Sequence, residues 1–411
     1  MNGFENDAAL LRGLTQSRLT RRGLFRAGGA IGGAAALSSL LAACSIPGAN
    51  QSAAGADEID WAQWWAGKKK AGTLNFANWP LYIDQDDKGN SESLARFTKA
   101  TGIKVNYKEV IEDIPSFYAK VAPLLRGKQS TGYDLMVITN GWNLTEMISN
   151  GWLAQLDHSQ LPNFAKYADP SIMFPSFDPG NLHSAVWQTG FTGLAYNEKL
   201  TGPITSFDDL LDPKFKGKIG MLSDNVEYGN AALLAIGVDP NHSTRADWKK
   251  ALAWLEKLQP NVAKFYDQGY TDALQNGDIW ISQCYSGDIF QVQAGGHPEI
   301  KYVTPKEGQV MWHDNMCIPI TAEHPVDALM WMNFYYTPEI AGLVADYVNY
   351  VSPVPAAREY ILNTIDDADV ANSPLVFPNA ETLAQSHEYY VYKDYADFQA
   401  WNKLFDPISQ S

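Results

Sequence analysis

Met311-Trp312-His313-Asp314-Asn315, written MWHDN, follows the turn KEGQV and precedes the apolar run MCIPI, so it is expected to form a strand. Strand side chains alternate between faces, which puts Trp312 and Asp314 on one side and His313 and Asn315 on the other. A carboxylate beside an indole packs poorly as core. Together they suit an organic cation: the carboxylate supplies charge, and the ring face supplies an apolar wall with cation–π attraction. Other expected strand exits have the same character. Asn78-Trp79-Pro80-Leu81-Tyr82 follows TLNFA, Thr139-Asn140-Gly141-Trp142 follows YDLMVI, and Tyr285-Ser286-Gly287-Asp288 follows IWISQC. After KIGML, Asp224 and Glu227 stand three apart at an expected helix start, close enough to share a face. As a ligand pair they hold a cation; as an N-cap and its N3 partner they only stabilise the helix.

Catalytic readings of these residues are weaker. Asp224 and Glu227 as an acid/base pair of the glycosidase kind require a carboxyl separation that sequence does not supply. Ser286 lacks the first glycine of a nucleophile elbow, since the local sequence is QCYSG. The seven histidines are scattered with no HExxH pairing, so no metal site is expected. No phosphate-binding loop occurs, and no cofactor is implied.

The elements that must position these residues alternate. TLNFANW, the helix candidate SESLARFTKATG with Gly102 as its stop, the strand IKVNYKEV, the helix PSFYAKVAPLL and the strand YDLMVI succeed one another, and the theme returns with KGKIGMLSD, DWKKALAWLEKLQ and IWISQCYSG. Such alternation implies α/β architecture with mostly parallel sheets flanked by helices. Ligands of open parallel sheets sit outside the carboxyl ends of the strands, where the aromatic and acidic residues cluster. About 340 residues follow Thr73, enough for two domains.

Residues 1–43 are expected to be a signal peptide. Arg21-Arg22 resemble a twin-arginine export signal, and the Gly/Ala-rich apolar stretch ends at Leu41-Ala42-Ala43-Cys44, a lipobox pattern in which Cys44 is acylated and begins the mature chain. Residues 44–72 then form a lipid-anchored tether, small and polar over SIPGANQSAAGAD. Removing the signal takes away five basic and two acidic residues, making the remainder more acidic than the whole chain's net −15. Such a field disfavours nucleic acid and favours cationic ligands. With Cys44 acylated, Cys284 and Cys317 remain, and two buried thiols are expected rather than a disulfide framework.

The order of NWPLY (78–82), TGIKVNY (101–107), YDLMV (133–137), LPNF (161–164), PNVAKF (260–265), VTPKEG (303–308), MWHDNM (311–316) and FPNAET (377–382) resembles the spermidine/putrescine-binding proteins of bacterial ABC transporters. The resemblance implies two α/β lobes around a cleft, residues 73–192 plus 312–358 forming one and 193–311 plus 359–411 the other. It implies a polyamine in the cleft, with Trp79, Tyr82, Tyr285, Trp312 and Tyr350 along its methylenes. Asp224, Glu227 and Asp314 would seat its nitrogens, with Thr139 as a polar contact. Together with the lipobox, it points to a monomeric, non-enzymatic receptor, lipid-anchored on the outer face of the cytoplasmic membrane, that delivers its ligand to permease subunits. The alternatives are a receptor for another organic solute such as a sugar, and a secreted glycoside hydrolase using Asp224 and Glu227.

The sequence departs from the resemblance at three places, the first of them at one end of the expected channel. Pro80-Leu81 replaces a Thr-Glu pair, Gly141 replaces an aromatic whose space Trp142 is placed to fill, and His387-Glu388-Tyr389-Tyr390 lacks an expected glutamine. The acids Asp84, Asp86 and Asp87 of the following loop offer a replacement seat or a solvated surface loop.

Overall fold

The computed structural model describes residues 59–410 except 172 and 174; the signal segment, Cys44 and the polar part of the tether lie outside these residues. Among the described residues, ten strands form one sheet: β1 (Thr73–Asn78), β2 (Lys104–Glu109), β3 (Leu135–Thr139), β4 (Ser184–Asn197), β5 (Ile219–Leu222), β6 (Val262–Tyr266), β7 (Ile281–Tyr285), β8 (Ile300–Val303), β9 (Gln309–Cys317) and β10 (Ser386–Glu388). Their order is β2-β1-β3-β9-β4-β7-β5-β6, with β10 on β9 and β8 on β4. Parallel pairing holds within β2-β1-β3 and within β7-β5-β6, as the alternation implied. The two long strands between them, β4 and β9, run antiparallel to each other, and β9 is also antiparallel to β3. Every residue of both is buried, so their sequences read as continuous apolar-to-polar runs without a solvent face.

The helices that matter for the site are α1 (Glu92–Thr101), α2 (Ile114–Arg126), α3 (Trp142–Ser149), α4 (Asn225–Ala235), α5 (Arg245–Leu258), α6 (Ser286–Ala294), α7 (Pro325–Tyr335), α8 (Pro338–Val348) and α9 (Tyr395–Gln410). Their ends follow local chemistry. Ser91 caps α1, which stops at Gly102 in the left-handed region, and Thr244 with Asp247 closes a capping box on α5.

Apolar packing separates into two halves, as expected of a two-lobe fold. Phe76, Trp187, Trp331 and Tyr335 centre the core beside β1, β3 and α7. Trp248, Tyr390 and Trp401 centre another beside β5, α4, α5 and α9. The start of β4 pairs with the end of β9 in the first half, while residues 192–196 of β4 pair with β7 in the second. The strands therefore pass between halves near Thr189–Thr192 and near 310–313. Val351 joins the same place by exchanging both backbone hydrogen bonds with Thr189. Residues 361–377 pack on α8, and the chain reaches the second half at β10, which pairs with residues 309–311. Cys284 and Cys317 are free and buried.

Candidate functional site

Trp312 and Asp314 share a face, as strand alternation requires, and they meet through two tyrosines. The Tyr82 hydroxyl donates to one Asp314 oxygen at 2.6 Å, and the Thr139 hydroxyl donates to the other. Register explains the second bond, because Thr139 on β3 pairs directly with Asp314 on β9. Tyr82 then meets Tyr350 edge-on with ring centroids 6.0 Å apart, Tyr350 meets Trp312 at 5.1 Å, and Trp312 meets Tyr285 at 5.9 Å. These four rings form a continuous aromatic wall. Gly190 makes room for it: Gly190 is the cross-strand partner of Trp312, and a β-carbon there would stand 2.1 Å from the indole.

At the Tyr285 end of the wall lies Glu227, in the first turn of α4 and almost fully buried. One of its oxygens accepts from the Tyr389 hydroxyl, and the other has no hydrogen-bond partner among the described residues. Burial pushes its carboxyl up to about 7; the bond from Tyr389 draws it down, the charge of Asp224 raises it again, and nearby Thr192 and Tyr285 offset part of the rise. Asp314 is pushed to about 6 by burial, with Thr139, Tyr82 and the neighbouring His313 holding it below where burial alone would put it. Asp224 caps α4 by accepting from the Val226 amide at 2.9 Å. Solvent reaches its side chain, yet the surrounding protein is dense enough that desolvation raises its carboxyl. Capping is therefore half of the story at this helix start: Asp224 caps, while Glu227 turns to Tyr389 instead of the cap backbone.

His313, on the opposite face of β9, is turned into the junction between halves. Its Nδ1 lies 2.7 Å from the Thr189 hydroxyl and its Nε2 lies 3.6 Å from Glu388 of β10. Burial alone would raise the Glu388 carboxyl, but the nearby His313 ring together with Ser176 brings it below its ordinary value. Trp79 packs against the apolar clusters of the first half, including the one that holds Tyr82, and has no ring–ring stacking with the four aromatics among the described residues. Trp142 does not fill the space beside Thr139. It stacks instead on Phe398 of α9.

Two groups of the site were not singled out as ligand residues from sequence. Asp288, in the first turn of α6, accepts from Tyr270 at 2.6 Å and from Tyr350 at 3.2 Å, so a further carboxylate stands behind the middle of the wall. It sits in the YSGD strand exit, where position was the available signal. Tyr389 stands within the tail segment where a glutamine was expected; nothing local marks it as a partner of Glu227. The loop acids are committed elsewhere. Asp84 is buried and accepts from the Ser93 amide at 2.9 Å and from the Ser91 and Ser93 hydroxyls, and Asp86 accepts from Lys88 and Asn90 within its own turn.

Two α/β halves joined by two shared strands, with aromatic rings and buried acids gathered at their junction, have the two-lobe architecture of a binding protein. Residues 92–403 match the bacterial extracellular solute-binding proteins, and the chain belongs to that family. The spermidine/putrescine-binding periplasmic protein of Escherichia coli is 32% identical over 313 residues, which span 76% of this chain and 84% of that relative. A putrescine-binding periplasmic protein of Pseudomonas aeruginosa is 32% identical over 340 residues, covering 77% and 86% of the two. Among solved structures, the spermidine/putrescine ABC transporter substrate-binding protein of Streptococcus pneumoniae superposes with a TM-score of 0.71 at 26% identity, over 83% of this chain and 99% of that one. Membership in a solute-binding family makes the chain a receptor that works outside the cytoplasm, and sets aside the reading of Asp224 and Glu227 as a hydrolase pair.

Proposed function

We propose that the chain captures polyamines, spermidine or putrescine, and hands them to the permease subunits of an ABC importer. The observation that carries this reading is the Glu227 carboxylate: buried, pushed up to about 7, with one oxygen unpartnered among the described residues at the end of an aromatic wall. An ammonium group repays that desolvation, at about 1.5–3 kcal/mol per charge-assisted hydrogen bond. A sugar hydroxyl repays it poorly. Asp314 receives a second nitrogen, Asp224 and Asp288 add negative potential, and Tyr82, Tyr285, Trp312 and Tyr350 cover the methylenes between, each ring over a cation adding about 0.5–2 kcal/mol. Trp79 and Thr139 complete the first-half end of the channel. The names of the relatives support the same ligand class.

The lobes in this reading are residues 73–192 with 312–358, and 193–311 with the C-terminal segment, whose docking on the second lobe is complete at β10. The receptor acts as a monomer held to the outer face of the cytoplasmic membrane by acylated Cys44. In the Cys44→Ser variant, membrane retention should be lost while ligand binding persists; full retention after signal cleavage would refute the anchor.

Thermal denaturation with a panel of solutes tests the ligand class. A ligand that binds only the folded chain raises its melting temperature by mass action. Spermidine or putrescine at millimolar concentration should raise it by several degrees while neutral sugars leave it unchanged. No response to any linear diamine or polyamine would refute the proposal.

A further inference from the structure

Trp142 belongs by chain position to the first half but packs with the second. The helix it begins, α3, buries Leu144 and Met147 against Phe117 and Ile138 of the first half. Trp142 itself lies on the core that contains Trp248 and Trp401. Its ring is nearly parallel to that of Phe398, 11° between planes and 5.2 Å between centroids. Tyr395 flanks it at 5.8 Å and Tyr392 meets it edge-on at 6.4 Å. The partner helix α9 is firmly part of the second half, since Trp401 stacks on Tyr390 at 4° and meets Trp248 at 5.1 Å. Gly141 sets the direction: at φ 145° and ψ −167° it holds a conformation that other residues avoid, and it turns the chain away from Thr139 toward α9.

From these contacts we infer that Trp142 and Phe398 form a clasp that holds the two halves of the cleft closed, making Trp142 a positioning residue that sets affinity without touching the ligand. The stack is distant from β4 and β9 along the chain, so separation of the halves breaks it. Aromatic stacking of this kind favours the closed form beyond what the ligand contributes, and a larger closed population tightens apparent binding and slows release. Thr139, whose hydroxyl donates to Asp314, ends β3 three residues before Trp142, so the clasp follows directly on the strand end that holds the first-half carboxylate.

The clasp rests on the cleft reading for its effect on polyamines but not for its effect on shape, and the experiment separates the two. Small-angle scattering of ligand-free protein should show Trp142→Ala more expanded than wild type, and Trp142→Phe close to wild type. Stopped-flow displacement of spermidine should show dissociation at least about fivefold faster in Trp142→Ala, with association changed by less than about twofold. Phe398→Ala should repeat both results, and it carries the test if Trp142→Ala does not fold. Unchanged scattering and dissociation in the folded variant overturn the clasp, as does a lower melting temperature with no change in dissociation, which marks a purely structural contact. If wild type binds no polyamine, the ligand proposal fails alone and the scattering comparison still decides the clasp.

Discussion

Asp314 and Glu227 are both buried carboxylates at the ends of one aromatic wall, yet the fold treats them differently. Asp314 lies in the middle of a strand, and each of its oxygens already accepts a hydroxyl, one from Tyr82 on the first loop and one from its register partner Thr139. Glu227 lies on the first turn of a helix, one oxygen bound to Tyr389 and the other unpartnered among the described residues. The first seat is preorganised and satisfied without a ligand; the second is left short of a donor. A carboxylate short of a donor in low-dielectric surroundings destabilises the empty protein and favours whatever cation completes it. The comparison teaches that the second-half seat holds more of the demand for charge, while the first supplies geometry.

Exchanging the two acids for amides should produce the largest effects. Glu227→Gln should weaken spermidine binding about 100-fold and Asp314→Asn about tenfold, measured by calorimetric titration, since loss of the less satisfied charge removes more of the bond to an ammonium. Stability of the empty protein should move the other way: at pH 8 both amides should raise the melting temperature, Glu227→Gln by more. Asp314→Asn gains less because its new amide N–H group faces a hydroxyl that donated to the carboxylate. If Asp314→Asn gives the larger change in both measurements, the assigned roles are reversed.

Titration sharpens the same contrast. Folding raises both carboxyls, Glu227 from 4.5 to about 7 and Asp314 from 3.8 to about 6, each chiefly through burial. Between the unfolded and folded values the native chain holds protons that the unfolded chain has lost, so the contribution of these groups is fully favourable below about pH 4 and declines as pH rises to about 7. A cationic ligand prefers the ionised forms, so its affinity should climb through pH 6–7 and level off above 8, with protons released on binding. Calorimetry in two buffers of different ionisation enthalpy measures that release. Glu227→Gln should abolish the upper part of the climb and Asp314→Asn the lower; a climb unchanged by either substitution would place the titrating group elsewhere.

Residues on one strand, or at the exit of a parallel strand, were legible in the sequence because the period of two and the position after a strand fix where they point. That is how Trp312, Asp314, Tyr82, Tyr285 and Glu227 came into view, and the alternating α/β pattern announced the parallel sets β2-β1-β3 and β7-β5-β6. What stayed hidden depends on pairing between distant segments. The bond from Tyr389 to Glu227 requires β10 to lie beside β9, a three-residue register with no local signature. The direction of Trp142 depends on where α9 docks, and the antiparallel run of β4 against β9 depends on both strands passing through the junction. The room under Trp312 depends on Gly190 being its opposite number across β4, which sequence spacing alone does not reveal.

The smallest expected effect lies at the first loop, and it asks whether a third seat extends the satisfied end of the wall. Leu81 holds a left-handed backbone at φ 57°, and its amide donates to Glu109 of β2 at 3.1 Å, as does the Gln85 side chain at 2.9 Å. Asp84 is bound to Ser91 and Ser93 at the start of α1 and Asp86 within its own turn, so both carboxylates are already committed. A ligand nitrogen beyond Asp314 therefore meets an exposed carboxylate already shared by two donors, and gains little over water. Putrescine, which has no third nitrogen, should bind at least comparably to spermidine. Leu81→Glu places a second carboxylate beside Glu109, where the two repel unless a cation sits between them. That variant should raise the spermidine-to-putrescine affinity ratio about threefold to tenfold in calorimetric titration, leaving putrescine affinity nearly constant. A strong wild-type preference for spermidine, unchanged by the substitution, would mean that Glu109 or the loop backbone already completes a third seat, and that the first-half end of the wall demands charge as much as Glu227 does.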